Sequence, residues 1–147
     1  MSRIVDVSAV TVRVPVARAR VARVAERVLR AEGVRHAMLS VAFVSEREIA
    51  SLNWRHLRHR GPTDVISFGF APARKGGPVV GDVYIAPQVA RRNALAHGRG
   101  IREETLRLVV HGVLHVLGYD HPEDESRYRS PMWRRQERLL RSALAAA

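Results

Sequence analysis

Three histidines in the C-terminal half of the chain have a spacing that suits a metal ion. His111 and His115 are four residues apart, so on a helix both imidazoles leave the same face. Zinc held at about 2.0–2.1 Å by each nitrogen needs nitrogens roughly 3.3 Å apart, which this spacing permits. His121 reaches the same point only if the chain reverses after the helix, and Gly118 stands where a helix end favours a left-handed residue. We therefore predict a metal centre formed by His111, His115 and His121.

The metal is predicted to be one zinc ion with an open coordination position. The chain has no cysteine, so every protein ligand must be a histidine or a carboxylate. Ligation by nitrogen suits zinc, although nickel, copper and iron also accept it. Three protein ligands leave a fourth position for water, as in catalytic zinc sites, whereas structural sites are closed. A water in that position can be activated for attack on a substrate near neutral pH.

The histidine motif matches the ligand spacing of metzincin proteases but lacks their catalytic base. Residues 111–121 and the metzincin motif share the pattern H-x3-H-x2-G-x2-H. Position 112 is Gly112, where such a protease carries the glutamate that acts as general base. The motif therefore predicts metal binding and disfavours a peptidase.

Hydrophobic patterns predict the elements that must position these histidines. Strands are predicted at residues 4–14, 37–44, 65–68 and 79–86. Helices are predicted at residues 15–32, 46–57, 87–97 and 101–117. The tail is predicted to be helical from Pro122, with a restart at Ser130 and Pro131. The order mixes strands and helices without a repeat or linker, which predicts a single domain over residues 1–147.

Composition favours a polyanion partner and a cytoplasmic location. The chain has 25 basic and 14 acidic residues, a net charge of +11, and such a field attracts RNA. Heavy use of arginine and alanine offers a second explanation, a compositional habit of the source. The N-terminal segment is a poor secretory signal, and no apolar run approaches the roughly 20 residues of a membrane span. We therefore expect no membrane partner.

Several segments together resemble the YbeY endoribonuclease family, whose members are also called rRNA maturation factors. The segment HGVLHVLGYDH at residues 111–121 resembles the signature of that family. The similarity extends upstream to Leu52-Asn53, to PTDVISF at residues 62–68 and to GDVYI at residues 81–85. Order and spacing agree from about residue 40 to residue 121, and residues 132–140 are similar more loosely.

The resemblance implies a fold and an activity. The implied fold is α+β, with a mixed four-stranded sheet packed with helices and a metal site on a helix–turn at one side. The implied activity is zinc-dependent cleavage of single-stranded RNA, in maturation of the 3′ end of small-subunit rRNA and in ribosome quality control. The implied partners are rRNA and the small ribosomal subunit, with no DNA. The family's three zinc ligands correspond to His111, His115 and His121.

Two further residues are candidates for catalysis. The family carries an arginine ahead of the PTD segment, and in an ungapped alignment Leu57 takes its place, with Arg58 one residue later. We predict that Arg58 serves instead, because a guanidinium binds the non-bridging oxygens on which charge develops during phosphodiester cleavage. Asp120 is predicted to orient a ligand imidazole or handle a proton, and an aspartate beside a turn also commonly caps backbone amides.

Two alternative functions remain open at this point. The leucine at position 57 suggests a ribosome-assembly factor that binds RNA and has a mainly structural zinc site. A fourth protein ligand such as Asp120 would favour that alternative, and an open coordination position would disfavour it. A zinc amidohydrolase or peptidase is the third hypothesis.

Overall fold

The computed structural model describes residues 2–70, 72 and 74–146 of the chain. The strands are β1 Arg3–Ala9, β2 Ala37–Phe43, β3 Val65–Phe70 and β4 Val79–Ile85. The helices are α1 Arg18–Ala31, α2 Glu46–Leu52, α3 Pro87–Ala96, α4 Ile101–Val116 and α5 Pro131–Ala145. A π-helical turn, Asn53–Leu57, continues α2, and a 3-10 turn, Glu125–Arg129, precedes α5.

The four strands form one mixed sheet in the order β1-β2-β4-β3. β1, β2 and β4 run parallel, and β3 is antiparallel to β4. β3 and β4 are consecutive in the chain and form a hairpin. The α+β class and the four-stranded mixed sheet are confirmed.

The main core lies between one face of the sheet and the helices α1, α4 and α5. Alternate residues of β2 are buried, as expected for a strand with one covered face. α4 is buried along most of its length, with Val109, Val110, Val113 and Leu114 fully enclosed. The C-terminal half of α4 is apolar on most sides, as expected for a helix in the interior, and this half carries the first two histidines.

Glycines on two strands allow the end of α4 to approach the sheet closely. A Cβ atom on Gly81 would lie 2.4 Å from Cγ1 of Val116, and one on Gly69 would lie 2.8 Å from the Val116 carbonyl oxygen. Both distances are shorter than any tolerable contact. The absence of side chains at Gly69 and Gly81 therefore sets the depth at which α4 packs.

The N-terminal segment departs from the predicted element boundaries. β1 ends at Ala9 rather than at residue 14, because Ala9 pairs with Phe43, the last residue of β2. α1 begins at Arg18 rather than at Pro15. Between them Thr11 adopts a left-handed backbone with φ 57°, which interrupts the extended conformation.

Three other boundaries also differ from the prediction. β3 continues to Phe70 rather than ending at residue 68. The predicted helix at residues 46–57 divides into α2 and the π-helical turn. The tail is not helical at Pro122, and α5 starts at Pro131, where the Ser130 hydroxyl accepts from the Trp133 amide. Among the described residues, no helix is both long and apolar enough to cross a membrane.

Candidate metal centre

The three predicted ligands converge at the end of α4. One side-chain nitrogen from each of His111, His115 and His121 lies within 4.8 Å of the others. The chain reverses after α4 because Gly118 adopts φ 101°. The Tyr119 amide then bonds to the Leu114 carbonyl at 3.0 Å and the Gly118 amide to the His115 carbonyl at 3.0 Å, the pair of bonds that defines a Schellman motif. This helix end brings His121 back to the other two imidazoles.

All three imidazoles donate from Nδ1 to an oxygen. The acceptors are Oε1 of Gln136 for His111 at 2.7 Å, the Tyr119 carbonyl for His115 at 2.9 Å and the Pro122 carbonyl for His121 at 2.7 Å. Since these oxygens can only accept, each Nδ1 carries the proton and each Nε2 keeps its lone pair. The Nε2 lone pairs of all three imidazoles are therefore available to a metal ion. A hydrogen bond at Nδ1 fixes each tautomer, as is usual for histidines that bind a metal.

A buried network of charged groups fixes the amide that orients His111. Gln136 is 1% exposed, and its Nε2 donates to Glu137 at 3.1 Å, which turns Oε1 toward His111. Both oxygens of Glu137 accept from the Arg107 guanidinium, at 2.9 and 3.0 Å. Arg107 also donates to Glu104 at 2.7 Å. The role of Gln136 was not predicted from the sequence, although a glutamine on the otherwise apolar face of a terminal helix was a usable signal.

The loop that orients His115 is anchored to a different helix. The Tyr119 hydroxyl donates to Glu32 at 2.5 Å, directly after α1. The other carboxylate oxygen of Glu32 accepts from Nε of Arg135 on α5 at 2.7 Å. Tyr119, whose carbonyl accepts from His115, is therefore connected by hydrogen bonds to the end of α1 and, through Glu32, to α5.

Burial and neighbouring charges favour the neutral form of His111 and His115. Burial lowers the pKa of His111 from 6.5 to about 4, and the neighbouring His115, His121 and Arg127 add to the effect. Burial also lowers the pKa of His115, with a further contribution from His121. Neutral imidazoles have the lone pairs that a metal ion requires. The donor set, its tautomers and its charge state all fit a metal ion.

A cleft of about 370 Å³ lies over the three imidazoles. Its remaining walls come from the segment around the π-helical turn, from β3 with the residues before it, and from the tail: Asn53, Leu57, His59, Thr63, Asp64, Val65, Ile66, Ser67, Glu123 and Arg127. Among the described residues, the metal-competent group contains these three histidines and no fourth ligand. The centre is therefore open on the cleft side, which disfavours the structural-zinc alternative.

Gly112 points at the sheet and not into the cleft. A Cβ atom there would lie 2.4 Å from Cγ1 of Val83 and 3.2 Å from Oγ of Ser67. A glutamate at this position would collide with the buried Val83 before it reached the cleft. Contact with Val83 therefore excludes a glutamate at position 112. The peptidase alternative consequently has no general base at that position.

The two residues predicted for catalysis lie in exposed positions near the centre. Arg58 has a left-handed backbone with φ 57°, and its guanidinium carbon lies 5.5 Å from the centroid of the Trp54 ring. Its neighbours Leu57 and His59 line the cleft, but Arg58 does not. The Asp120 carboxylate accepts from the backbone amide of His121 at 2.8 Å, so Asp120 caps the turn that carries the third histidine.

Two polar residues of the cleft were not assigned a chemical role from sequence. Burial raises the pKa of the Asp64 carboxyl, which accepts from Asn93 at 3.3 Å. Arg127 lines the cleft beside His111 and His121. Its position in an arginine-rich tail offered no periodic or motif signal, so sequence could not distinguish it from the surface arginines.

An open centre of three histidines under a cleft, on an α+β scaffold, is the type of site that metal-dependent hydrolases use. The family model described as Endoribonuclease YbeY matches residues 6–143. The chain is 44% identical over 123 residues to Endoribonuclease YbeY of Thermobifida fusca, covering 78% of this chain and 79% of that protein. It is 40% identical over 108 residues to the Aquifex aeolicus protein of the same name, covering 71% and 72%. The chain belongs to the YbeY endoribonuclease family, as its motifs predicted.

A solved structure shows the same fold. The solution structure of TM1509 from Thermotoga maritima matches with a TM-score of 0.61 at 23% identity, covering 95% of this chain and 89% of that one. At this identity the likeness extends to the arrangement of strands and helices alone.

Proposed function

We propose that this protein is a zinc-dependent endoribonuclease that cleaves single-stranded rRNA, with maturation of the 3′ end of the small-subunit rRNA as its task. The chain belongs to a family of endoribonucleases, and hydrolysis of RNA phosphodiester bonds is the activity of that family. The observation that carries the finer proposal is the convergence of three imidazoles beneath an open cleft. We propose the whole chain as one functional domain.

Zinc is the proposed metal because of the donor set. Three nitrogen ligands without sulfur suit zinc and leave a position open toward the cleft. When bound, the ion supplies Lewis acidity toward phosphate oxygens and toward a water molecule. His111, His115 and His121 hold the ion, and Gln136 keeps His111 in the ligating tautomer.

The residues around the cleft are proposed to gather and orient RNA. Trp54 is 43% exposed, and the guanidinium carbons of Arg58 and Arg60 lie 5.5 and 5.0 Å from its ring centroid. An exposed aromatic ring with adjacent cations suits an unpaired base and its phosphate. We propose that Arg58 contacts RNA at the mouth of the cleft, and that Asp120 acts on catalysis by positioning His121.

The remaining parts of the proposal concern partners and place. A net charge of +11 favours association with RNA, and the small ribosomal subunit is the proposed partner because it contains the proposed substrate. Ribosome quality control is part of the same proposal. Neither DNA nor a membrane is a proposed partner, and the cytoplasm is the proposed location because ribosomes are assembled there.

The test pairs metal content with RNA cleavage in the same preparations. Purified wild type and His115→Ala are compared by elemental analysis and by cleavage of a labelled single-stranded RNA, with His36→Ala as control because His36 is exposed and outside the ligand group. The proposal expects one zinc per chain and cleavage in wild type and control, and loss of both in His115→Ala. Stoichiometric zinc in His115→Ala would overturn the ligand assignment. Zinc without cleavage, also in the presence of small subunits, would favour the assembly-factor alternative.

A further inference from the structure

One arginine of the cleft has no charged partner. Arg127 lines the cleft together with His111, His121 and the exposed Glu123, and its side chain forms no ion pair with any carboxylate of the described residues. Its guanidinium carbon lies 5.6 Å from the centroid of the adjacent Tyr128 ring. A half-buried cation beside three histidines is electrostatically unfavourable unless an anion joins it.

The backbone of Arg127 is held firmly in this position. The Asp124 carboxylate caps the 3-10 turn by accepting from the Ser126 amide at 2.9 Å. At the other end the Arg127 carbonyl accepts from the Ser130 hydroxyl at 2.7 Å and from the Ser130 amide at 3.2 Å. Ser130 is 6% exposed and also caps α5. The turn therefore holds the backbone of Arg127 in one position. The loop is already ordered in the folded protein, so binding of a ligand does not require further ordering of its backbone.

Arg127 also stands where the cleft joins its neighbouring cavities. A second cavity of about 100 Å³ shares Asp64, Val65, His111 and Arg127 with the cleft. A third, smaller depression lies between Arg127 and the imidazoles of His111 and His121. A ligand that contacts the histidines therefore also lies close to the side chain of Arg127.

We propose that Arg127 binds the scissile phosphate of the RNA, through its guanidinium and the non-bridging oxygens, at the metal centre. The inference rests on the proposed ribonuclease function and assigns its phosphate-binding residue. The guanidinium carries five N–H donors in a planar fork that matches two phosphate oxygens. Arg58 is exposed, stacks on Trp54 and lies outside the cleft lining, so the two arginines take different parts: Arg127 at the reacting phosphate and Arg58 at the flanking RNA.

The test uses zinc-loaded wild type, Arg127→Ala, Arg127→Lys and the matched control Arg129→Ala. Arg129 belongs to the same 3-10 turn but is exposed and outside the cleft lining. Each protein is measured for zinc content, melting temperature, kcat and KM on single-stranded RNA, and binding of inorganic phosphate by calorimetry. We expect Arg127→Ala to lose on the order of 10- to 100-fold in kcat with zinc content unchanged. Arg127→Lys should recover part of that loss, since lysine keeps the charge but not the fork.

Phosphate binding separates this inference from the proposed function. If wild type does not cleave RNA, the ribonuclease proposal fails, yet weaker phosphate binding in Arg127→Ala than in Arg129→Ala still supports a phosphate site at Arg127. Equal kcat, KM and phosphate affinity in wild type and Arg127→Ala overturn the inference. So does an activity loss that Arg129→Ala shares or that follows the loss of zinc in both Arg127 variants.

Discussion

The metal centre and the arginine-rich segment at residues 54–60 border the same cleft but differ in how firmly their side chains are held. Each ligand imidazole donates to a defined oxygen. Two of the accepting residues are held by a further hydrogen bond, Gln136 to Glu137 and Tyr119 to Glu32. Every residue of the 54–60 segment is exposed. Arg58 and Arg60 lie over the Trp54 ring, and Arg55 forms an exposed ion pair with Glu48.

The difference separates two tasks on one cleft. Chemistry at phosphorus requires groups held to a fraction of an ångström, and buried hydrogen-bonded side chains provide that. Capture of a flexible RNA strand tolerates mobile cations and an exposed ring. Changes at the buried ligands should therefore abolish function, whereas changes in the 54–60 segment should weaken binding.

The largest effect is expected from removal of a ligand. His115→Ala should lose its metal, and RNA cleavage should fall by at least about a thousandfold, because two remaining nitrogens cannot hold the ion in place. Elemental analysis and a gel-based cleavage assay measure the two quantities, and His36→Ala should match wild type. Cleavage that persists in His115→Ala without metal would mean that the buried centre is not the reacting site.

A smaller loss is expected when the support of a ligand is removed. Gln136→Leu keeps the packing volume but removes the oxygen that accepts from His111 Nδ1, so zinc affinity should fall about 10- to 100-fold. Competition with a chromophoric chelator measures that affinity. Gln88→Leu, at an exposed glutamine on α3, is the matched control. Equal affinity in all three proteins would show that the buried network does not tune the metal.

Packing beneath the ligands should be equally sensitive. Gly112→Ala places a Cβ 2.4 Å from the buried Val83 Cγ1, and the overpacking should lower the free energy of unfolding by about 1–3 kcal/mol. Urea denaturation measures it. At Gly100, where a Cβ would meet nothing closer than 3.9 Å, the change to alanine should cost less than about 1 kcal/mol. Similar costs at both positions would contradict the close approach of α4 to the sheet.

The buried histidine also predicts a pH dependence for the metal-free protein. The unfolded chain protonates His111 near pH 6.5, whereas the folded chain does so only near pH 4, because burial lowers the pKa. The unfolded state therefore binds more protons within this interval, and the free energy of unfolding falls as the pH drops from 6.5 toward 4. Thermal unfolding in this range should show a weaker pH dependence for His111→Ala. An identical dependence in both proteins would place the acid sensitivity elsewhere.

The smallest effect is expected in the exposed segment. Arg58→Ala should raise KM about three- to tenfold and leave kcat nearly unchanged, because one phosphate contact at the mouth of the cleft adds binding but no selective stabilisation of the transition state. Steady-state kinetics at two salt concentrations measure this, and the salt dependence of KM should become shallower. A loss in kcat comparable to that of Arg127→Ala would remove the distinction between the two regions.

The amino-acid sequence by itself determined the fold class and the family, and it identified the three histidines that converge in the structure. His111 and His115 are one helical turn apart, and local backbone geometry sets that distance. Gly118 predicted the chain reversal that brings His121 back to them. Three-dimensional packing alone decided the rest: that Gln136 orients His111, that Gly112 faces Val83, and that Arg127 rather than Arg58 lies beside the histidines. These contacts join residues from different elements, and their partners are set by how α4, α5 and the tail pack, so neither spacing nor residue type could reveal them.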